Sequence, residues 1–499
     1  MELQFHKSVI PCLQTVAREI QNQEQTQELR LTDGMPDIGK VLASWGQILV
    51  RSKEWRSGSM GVSGGVMAWV LYMPEEGQEP QSIATWLPFQ MKWDFPDVQR
   101  DGTITVAPLL RGIDARSVSA RKIMVRAGIS LLAEGMTQGE TEIFAPTEAL
   151  DDLHILKNTY PIRLPAESGE KAFAIEEALS LPDSQPPLGK IIYYELCPEL
   201  VEQKIVSDKL VFRGNACLHL LYGDKEGRLH TWDTQIPFSQ YAQLNKEYDT
   251  DATAQICFAL TNLELETGEE ENLNLKAGMI AQYVIFEARN VELVEDAYSN
   301  LRDVKLQTSQ LNIPAQLDCR REAAYAEHTE EQISMQPVDV SFYPDHPRMY
   351  REGDTVTGEM SGMFQLLGYD ENGELVGGTY HWADEWSFDA SHNAKVAVVV
   401  QPAGKPQATL SGENMVLRCE MNRDVATTAN QGLSMIAGME LGEMKEPDPN
   451  RPSLILRRAG EDRLWDLAKK SGSTVEAIQK ANNLQGEPES SQMLLIPVS

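Results

Sequence analysis

Three short stretches of this sequence carry residue types that could do chemistry. Gly61-Val62-Ser63-Gly64-Gly65 has the G-x-S-x-G spacing of a nucleophile elbow, in which a strained turn presents a serine to a carbonyl substrate. That use needs a strand before the serine and a helix after it. A strand-like run, Ala68-Trp69-Val70-Leu71-Tyr72, follows instead, so the stretch reads as a turn or the start of a strand. His381-Trp382-Ala383-Asp384-Glu385-Trp386 combines imidazole, carboxylates and indoles, as a metal or aromatic site would. The eight histidines are dispersed, however, with no H-E-x-x-H spacing and no close pair on one helical face. Trp86, Trp232, Trp382 and Trp386 fall near the middle of the repeats described below, at near-equivalent places, and are expected in core packing or repeat–repeat contacts. The acidic run Thr267-Gly268-Glu269-Glu270-Glu271-Asn272 lacks the alternating ligands of a calcium loop and reads as a solvated turn. No nucleophile, base and orienting group can be assembled from these motifs. The sequence therefore predicts no enzyme, no catalytic residue, no metal site and no cofactor.

The elements that hold these residues follow from composition and periodicity. A chain of 499 residues suggests three or four domains at roughly 100 to 200 residues each. Hydrophobic residues make up 42%, enough for real cores. The net charge of −30 repels nucleic acid and anionic lipid. No apolar run approaches the roughly 18 residues of a membrane span, so no membrane insertion is expected. The N-terminal stretch has no basic region followed by a long apolar core, so the expected location is the cytoplasm. Six scattered cysteines, at 12, 197, 217, 257, 319 and 419, form no C-x-x-C pair and read as reduced thiols.

The chain repeats itself. Pro36-Asp37-Ile38-Gly39-Lys40-Val41-Leu42 recurs 150 positions later as Pro186-Pro187-Leu188-Gly189-Lys190-Ile191-Ile192. The same shift carries Gly64 to Gly214, Leu71-Tyr72 to Leu221-Tyr222, and Arg126-Ala127-Gly128-Ile129 to Lys276-Ala277-Gly278-Met279. It also sets Arg213 against Ser63, which removes the nucleophile from the second copy. Leu87-Pro88-Phe89 returns one position out of step as Ile236-Pro237-Phe238. A weaker third copy echoes Leu220-Leu221, Asp224 and Gly227-Arg228-Leu229 as Leu366-Leu367, Asp370 and Gly373-Glu374-Leu375, without a Pro-x-x-Gly-Lys element. Short apolar or alternating runs bounded by Gly, Asn and Asp predict strands and hairpins throughout. The fold class expected is mainly β: tandem β-sandwich or partly open barrel repeats over 1–150, 151–300 and 301–446. Ser168 to Leu179 is read as strand.

A proline-rich linker at 447–452 separates a different composition. Residues 453–499 carry six basic and six acidic side chains, in contrast to the acidic body. Leu454-Ile455-Leu456 predicts a strand, and Asp462 a cap for a helix with Leu464, Trp465, Leu467 and Ala468 inward. Gly472 is a natural helix stop, and Ser473-Thr474-Val475-Glu476 a capping box for a second helix. Met493-Leu494-Leu495-Ile496-Pro497 returns as a strand. The whole is a small βααβ domain in which Trp465 serves either the core or an exposed partner-binding face.

Ala459-Gly460-Glu461-Asp462-Arg463-Leu464-Trp465-Asp466-Leu467-Ala468, Asn482-Asn483-Leu484 and Leu494-Leu495-Ile496-Pro497 resemble a LysM domain. Arg463 stands where wall-binding members usually have Thr or Ser, and Glu461 where Gly is common. The Pro-Asp-Ile-Gly-Lys-Val element at 36–41, Leu-Pro-Phe at 87–89 and Arg-Lys-Ile-Met-Val-Arg-Ala at 121–127 resemble the SPOCS domain of spore coat assembly proteins. Tandem SPOCS domains ending in LysM are similar to the SipL-like family, with SpoVID a more distant relative. The resemblance implies a non-enzymatic coat scaffold in the mother-cell cytoplasm at the forespore surface. It implies SpoIVA-like coat morphogenetic ATPase, with other coat proteins, as partner. Gly460, Glu461, Asp462, Arg463, Trp465 and Asn483 are the expected docking residues. A peptidoglycan-binding wall protein is the alternative.

Overall fold

The computed structural model describes residues 2–3, 5–56, 58–77, 79–98, 100–146, 150–268, 272–331, 335–392, 394–446 and 451–498. The acidic residues at 269–271 and most of the proline-rich linker, 447–450, lie outside the described residues. Chain order runs β1 (Glu2–Leu3), β2 (Phe5–Arg30), β3 (Ile38–Arg56), β4 (Ser59–Pro74), β5 (Gln81–Asp94), β6 (Gly102–Ser119) and β7 (Lys122–Pro146). There follow β8 (Leu153–Leu179), β9 (Leu188–Val206), β10 (Lys209–Asp224), β11 (Leu229–Gln243), β12 (Thr253–Thr267) and β13 (Leu273–Ser299). The next set is β14 (Arg302–Glu330), β15 (Gln336–Pro344), β16 (Arg348–Glu352), β17 (Thr355–Tyr369), β18 (Leu375–Asp389), β19 (Ala394–Pro402), β20 (Gln407–Ser411) and β21 (Asn414–Met444). The chain ends with β22 (Leu454–Arg458), α1 (Leu464–Ser471), α2 (Val475–Asn482) and β23 (Met493–Pro497).

These segments are strands because their apolar residues recur at every second position, as one buried face demands. In β7, Ile123, Val125, Ala127, Ile129, Leu131 and Ala133 are all fully buried. The same alternation returns at Leu273, Leu275, Ala277, Met279 and Ala281 of β13, and at Met415, Leu417, Cys419 and Met421 of β21. Each of these long strands is the centre of a sheet. The protein is mainly β, as expected, and built from several antiparallel sheets.

The first unit consists of two three-stranded sheets, ordered β2-β7-β6 and β3-β4-β5. The second repeats that order with β8-β13-β12 and β9-β10-β11. In both, the two sheets share one apolar core. Gly64 and Gly214 stand at matching points. A Cβ on Gly64 would lie 2.1 Å from Leu49 O, and one on Gly214 2.2 Å from Glu199 O, with Phe89 and Phe238 closing the other side. The Pro-x-x-Gly-Lys element is tied down identically in each: Tyr72 Oη donates to Pro36 O (3.2 Å) and Tyr222 Oη to Pro186 O (3.0 Å).

The third unit keeps the plan and changes two places. Its sheets are β14-β21, with β19 and β20 sharing the place of one strand, and β15-β17-β16 with β18 on β17. β1 adds to β21 through Glu2 and Leu3, so the start of the chain joins the third unit's sheet. The hairpin turn is unchanged in its hydrogen bonds. Asp224 Oδ1 accepts from Glu226 and Arg228 N–H, and Asp370 Oδ1 accepts from Asn372 and Glu374 N–H. Gly227 and Gly373 adopt φ of 80° and 77°, which their lack of a side chain permits.

Where unit meets unit, apolar clusters draw on all three. One joins Leu42, Trp45 and Trp69 to Ile192, Tyr193 and Leu221 and to Leu367 and Leu375. Another joins Ile10 and Cys12 of β2, Ile162 and Leu164 of β8, and Leu311 and Ala315 of β14. The bulges that interrupt β6, β12 and the β19–β20 strand fall at corresponding register positions, at Arg111, Thr261 and Ala403 to Pro406. A bulge re-aims a side chain. Arg111 thereby reaches Asp345 of the third unit (2.7 Å).

Several expectations change. Asp462 does not cap α1: its N-cap is Arg463, without a side-chain bond, and Glu487 Oε2 instead accepts from Leu464 N–H (2.8 Å). Asp462 is drawn off by Arg457 and Lys470. The cap of α2 is Thr474, whose Oγ1 accepts from Ala477 N–H, and not Ser473. Trp86 and Trp232 are not equivalent, since Trp86 faces Met67 and Trp232 faces Leu220, at different distances from the matched glycines. Ser63 lies inside β4, with its hydroxyl 3.0 Å from that of Ser52. On β18, Trp382 is buried while His381, Ala383, Asp384 and Glu385 are all exposed.

Candidate docking module and the junction behind it

The C-terminal module is built on a two-stranded sheet with two helices on its inner face. Leu464, Leu467, Ala468, Ile478, Leu494 and Ile496 form its core. α1 ends at Gly472 (φ 65°) and α2 at Asn483 (φ 53°), each in the left-handed region that Gly and Asn tolerate best. Two loops meet at one end. Gly460 N–H donates to Ser490 O (3.0 Å), and the Glu487 bond to Leu464 fastens the second loop to the first helix. On this end, Gly460, Glu461 and Arg463 are exposed, and a Cβ on Gly460 would point into open space. Among the described residues Arg463 makes one loose polar contact, to Asp466 at 3.4 Å, which leaves most of its guanidinium donors to solvent. Lys470, by hydrogen bond, holds the Asp462 carboxyl below its ordinary pKa.

Trp465 lies elsewhere. Its indole is 9% exposed and sits edge-on to Tyr298 of β13, ring centroids 4.9 Å apart at 71°. Trp465 Nε1 donates to Asp296 Oδ2 (2.8 Å), and Lys469 Nζ reaches both oxygens of the same carboxylate. Tyr298 Oη and Asn300 Nδ2 donate to Ser473 O. Burial pushes the Tyr298 hydroxyl up to about 12, with Glu476 and Asp296 adding to it. Trp465 thus fastens the module to the second unit, and the expected docking set divides between the loop end and this inner contact. Asp296, Tyr298 and Asn300 were missed in the sequence because nothing local marks a strand end as a docking floor.

A second constellation was also missed. At the junction of the three units, Asp339 of β15 accepts from Trp45 Nε1 (3.0 Å) and from Lys405 Nζ (2.7 Å), and lies 3.1 Å from His219 Nε2. His219 Nδ1 is 2.6 Å from Asp233, and the Tyr193 ring covers the imidazole. Burial alone would lower the pKa of His219, but the Asp339 charge and hydrogen bonds to Asp233 and Asp339 outweigh it and raise it to about 9. Burial likewise opposes the ionisation of Asp339, yet Lys405 and His219 hold it well below the carboxylate range. The cluster is a mutually neutralising set of ion pairs, with Asp339 and His219 buried and the Asp233 carboxylate reaching solvent. A cavity of about 490 Å³ lies between the units. Of the charged groups that line it, Arg18 pairs with Glu134 and Arg321 with Asp424, each at 2.7 Å.

Among the described residues no group of three or more His, Cys, Asp or Glu could hold a metal ion, and no helix is long and apolar enough to cross a membrane. The architecture defines a class: antiparallel two-sheet units packed around shared clusters, with a small β-α-α-β module on one of them. Residues 187–266, which run from the start of β9 almost to the end of β12, match the family described as SipL, SPOCS domain. No curated protein and no solved structure matches the chain.

Proposed function

We propose that this protein is a non-enzymatic scaffold of spore coat assembly, and that its C-terminal module is a LysM domain binding a SpoIVA-like coat morphogenetic ATPase. The match of β9–β12 to the SPOCS domain carries the reading, because it ties the second unit to spore coat morphogenesis. The strand order shared by the first unit supports treating the body as three such domains, over 1–150, 151–300 and 301–446. Work in the mother-cell cytoplasm at the forespore surface follows from the same reading. So do contacts with further coat proteins through the body.

The loop end is the surface best suited to a protein partner. Arg463 offers a planar fork of donors that matches a carboxylate, and Glu461 beside it leaves no small hydroxyl loop for an acetylated sugar. Charges placed this way steer encounter and select partners more than they add affinity. The test is recovery of the SpoIVA-like protein from sporulating cells by the full chain, by a chain lacking residues 453–499, and by Arg463→Glu. Recovery should be lost without the module and fall at least tenfold in Arg463→Glu, with unchanged melting. Full recovery without the module, or tight binding of the wild-type chain to peptidoglycan fragments, would overturn the reading.

A further inference from the structure

The module's sheet has one closed edge and one open edge. On β23, Leu495 N–H donates to Asn482 Oδ1 (2.8 Å) and Leu495 O accepts from Asn482 Nδ2 (2.7 Å), so α2 covers that side. Among the described residues, β22 pairs with β23 alone. The ends of the ladder show which groups face out. Val498 N–H donates to Ser453 O, and Ala459 N–H to Gln492 O. In an antiparallel pair the bonds alternate, so Ser453, Ile455, Arg457 and Ala459 bond inward to β23. The backbone N–H and C=O of Leu454, Leu456 and Arg458 therefore face away, and no described residue bonds to them.

The outer face of the same sheet is apolar. Leu454 is 52% exposed, Leu456 64%, and across the ladder Met493 52% and Leu495 40%. Single exposed apolar residues are ordinary, but three leucines and a methionine on a two-stranded sheet, beside unpaired backbone groups, form a template for another strand. No acidic residue lies on β22 or β23. Arg458 has no ion-pair partner among the described residues, and Arg457 beside it pairs only with Asp462 at 3.1 Å. The chain as a whole carries −30, so pairing two copies of β22 would bring two strongly acidic bodies together.

We propose that β22 is a capture edge, which binds an extended segment of a partner protein as a third strand. The segment alternates apolar and acidic side chains. Its apolar positions stack beside Leu454 and Leu456 on the outer face, and its acidic positions fall beside Arg457 on the inner one. Main-chain bonds to Leu454, Leu456 and Arg458 supply register. The inference rests on the docking reading above and gives it a second surface, on the sheet rather than at the loops.

The test uses the full chain and two fluorescein-labelled decapeptides, one alternating valine and glutamate, the other valine and lysine. Fluorescence anisotropy should show the glutamate peptide binding at least tenfold more tightly. Leu456→Pro removes an outward N–H that the inner ladder does not use, and should weaken binding at least tenfold with unchanged melting. Leu456→Thr keeps a strand-forming residue without the apolar contact and should weaken binding about fivefold, which keeps the test sound should proline unfold the module. Arg457→Glu with Arg458→Glu should reverse the peptide preference. Equal binding of both peptides, or unaltered binding in both Leu456 variants, would overturn the proposal. A concentration-dependent dimer in sedimentation, abolished by Leu456→Pro, would assign the edge to a second copy and overturn it as well. Unaltered peptide binding in these variants alongside module-dependent recovery of the SpoIVA-like protein sinks only the edge assignment. Recovery without residues 453–499 sinks the docking reading itself.

Discussion

The second and third units share one plan but differ where they face the junction. In the second unit, Tyr193 stands opposite Leu221; in the third, Asp339 stands opposite the corresponding Leu367. In the second unit, one residue bulges from β12; in the third, Ala403 to Pro406 break the strand and bring in Lys405. Both departures put charge at the same point, against His219 of the second unit. What looks in the sequence like decay of the repeat is a change of role. The regular units supply the aromatic and imidazole surfaces, and the diverged one supplies the charges that lock them.

The largest effect should come from removing that charge. Asp339→Ala leaves the buried Trp45 indole and the half-buried Lys405 without their acceptor and His219 with Asp233 alone, and breaking such a buried network costs about 3–5 kcal/mol. Denaturant unfolding of the two chains measures it; a loss under 1 kcal/mol would break the comparison, because the third unit's divergence would then have no structural consequence.

The pH dependence sharpens the same point. His219 keeps its proton to about pH 9 when folded, against an ordinary value of about 6.5 unfolded. The folded chain therefore holds the extra proton between those values. Its contribution, about 3 kcal/mol, is fully present below the lower value and is lost as pH rises through about 9. Asp339 acts in the opposite sense: its depressed pKa stabilises the fold above the usual carboxylate range and loses that effect only in strong acid. Unfolding measured from pH 6.5 to 8, below the range in which the buried thiols begin to contribute, should slope downward in the wild type and more shallowly in His219→Gln.

The likeness of the regular units can be tested at their glycines. Gly64→Ala and Gly214→Ala each force a Cβ onto a neighbouring carbonyl, and each should cost about 2 kcal/mol, the scale of an overpacked interior. Costs that differ by more than that amount would show that the two positions are not equivalent. The smallest effect concerns what the second and third units keep in common. Asp370→Ala removes an acceptor for two turn N–H groups and should lower stability by about 1 kcal/mol. Asp224→Ala should cost more, since that carboxylate also binds His230 at 2.8 Å.

Local physics made much of this protein readable in advance. Strict alternation announces β7, β13 and β21, because a strand with one buried face needs an apolar residue at every second position. The glycines at 64 and 214 and the tyrosines at 72 and 222 mark backbone approaches and tethers that any copy of the unit must repeat. Asp224 and Asp370 set their turns through bonds to residues two and four positions on, so sequence alone contains the whole interaction. The helix caps were harder. Asp462 and Ser473 have the right chemistry, but a carboxylate from Glu487, brought round by the far loop, took one role, and Thr474 took the other.

Only the folded molecule decided how the parts meet. Trp465 belongs to a module whose pattern marks it as apolar-facing, yet its burial depends on Asp296 and Tyr298, more than 160 positions away in the chain. Trp45, His219, Asp339 and Lys405 come from three units and carry no shared motif. Periodicity and capping are set by neighbours within a few residues, and those a sequence determines by itself. Contacts between units depend on which faces oppose one another in space, and there the tertiary structure chose the partners.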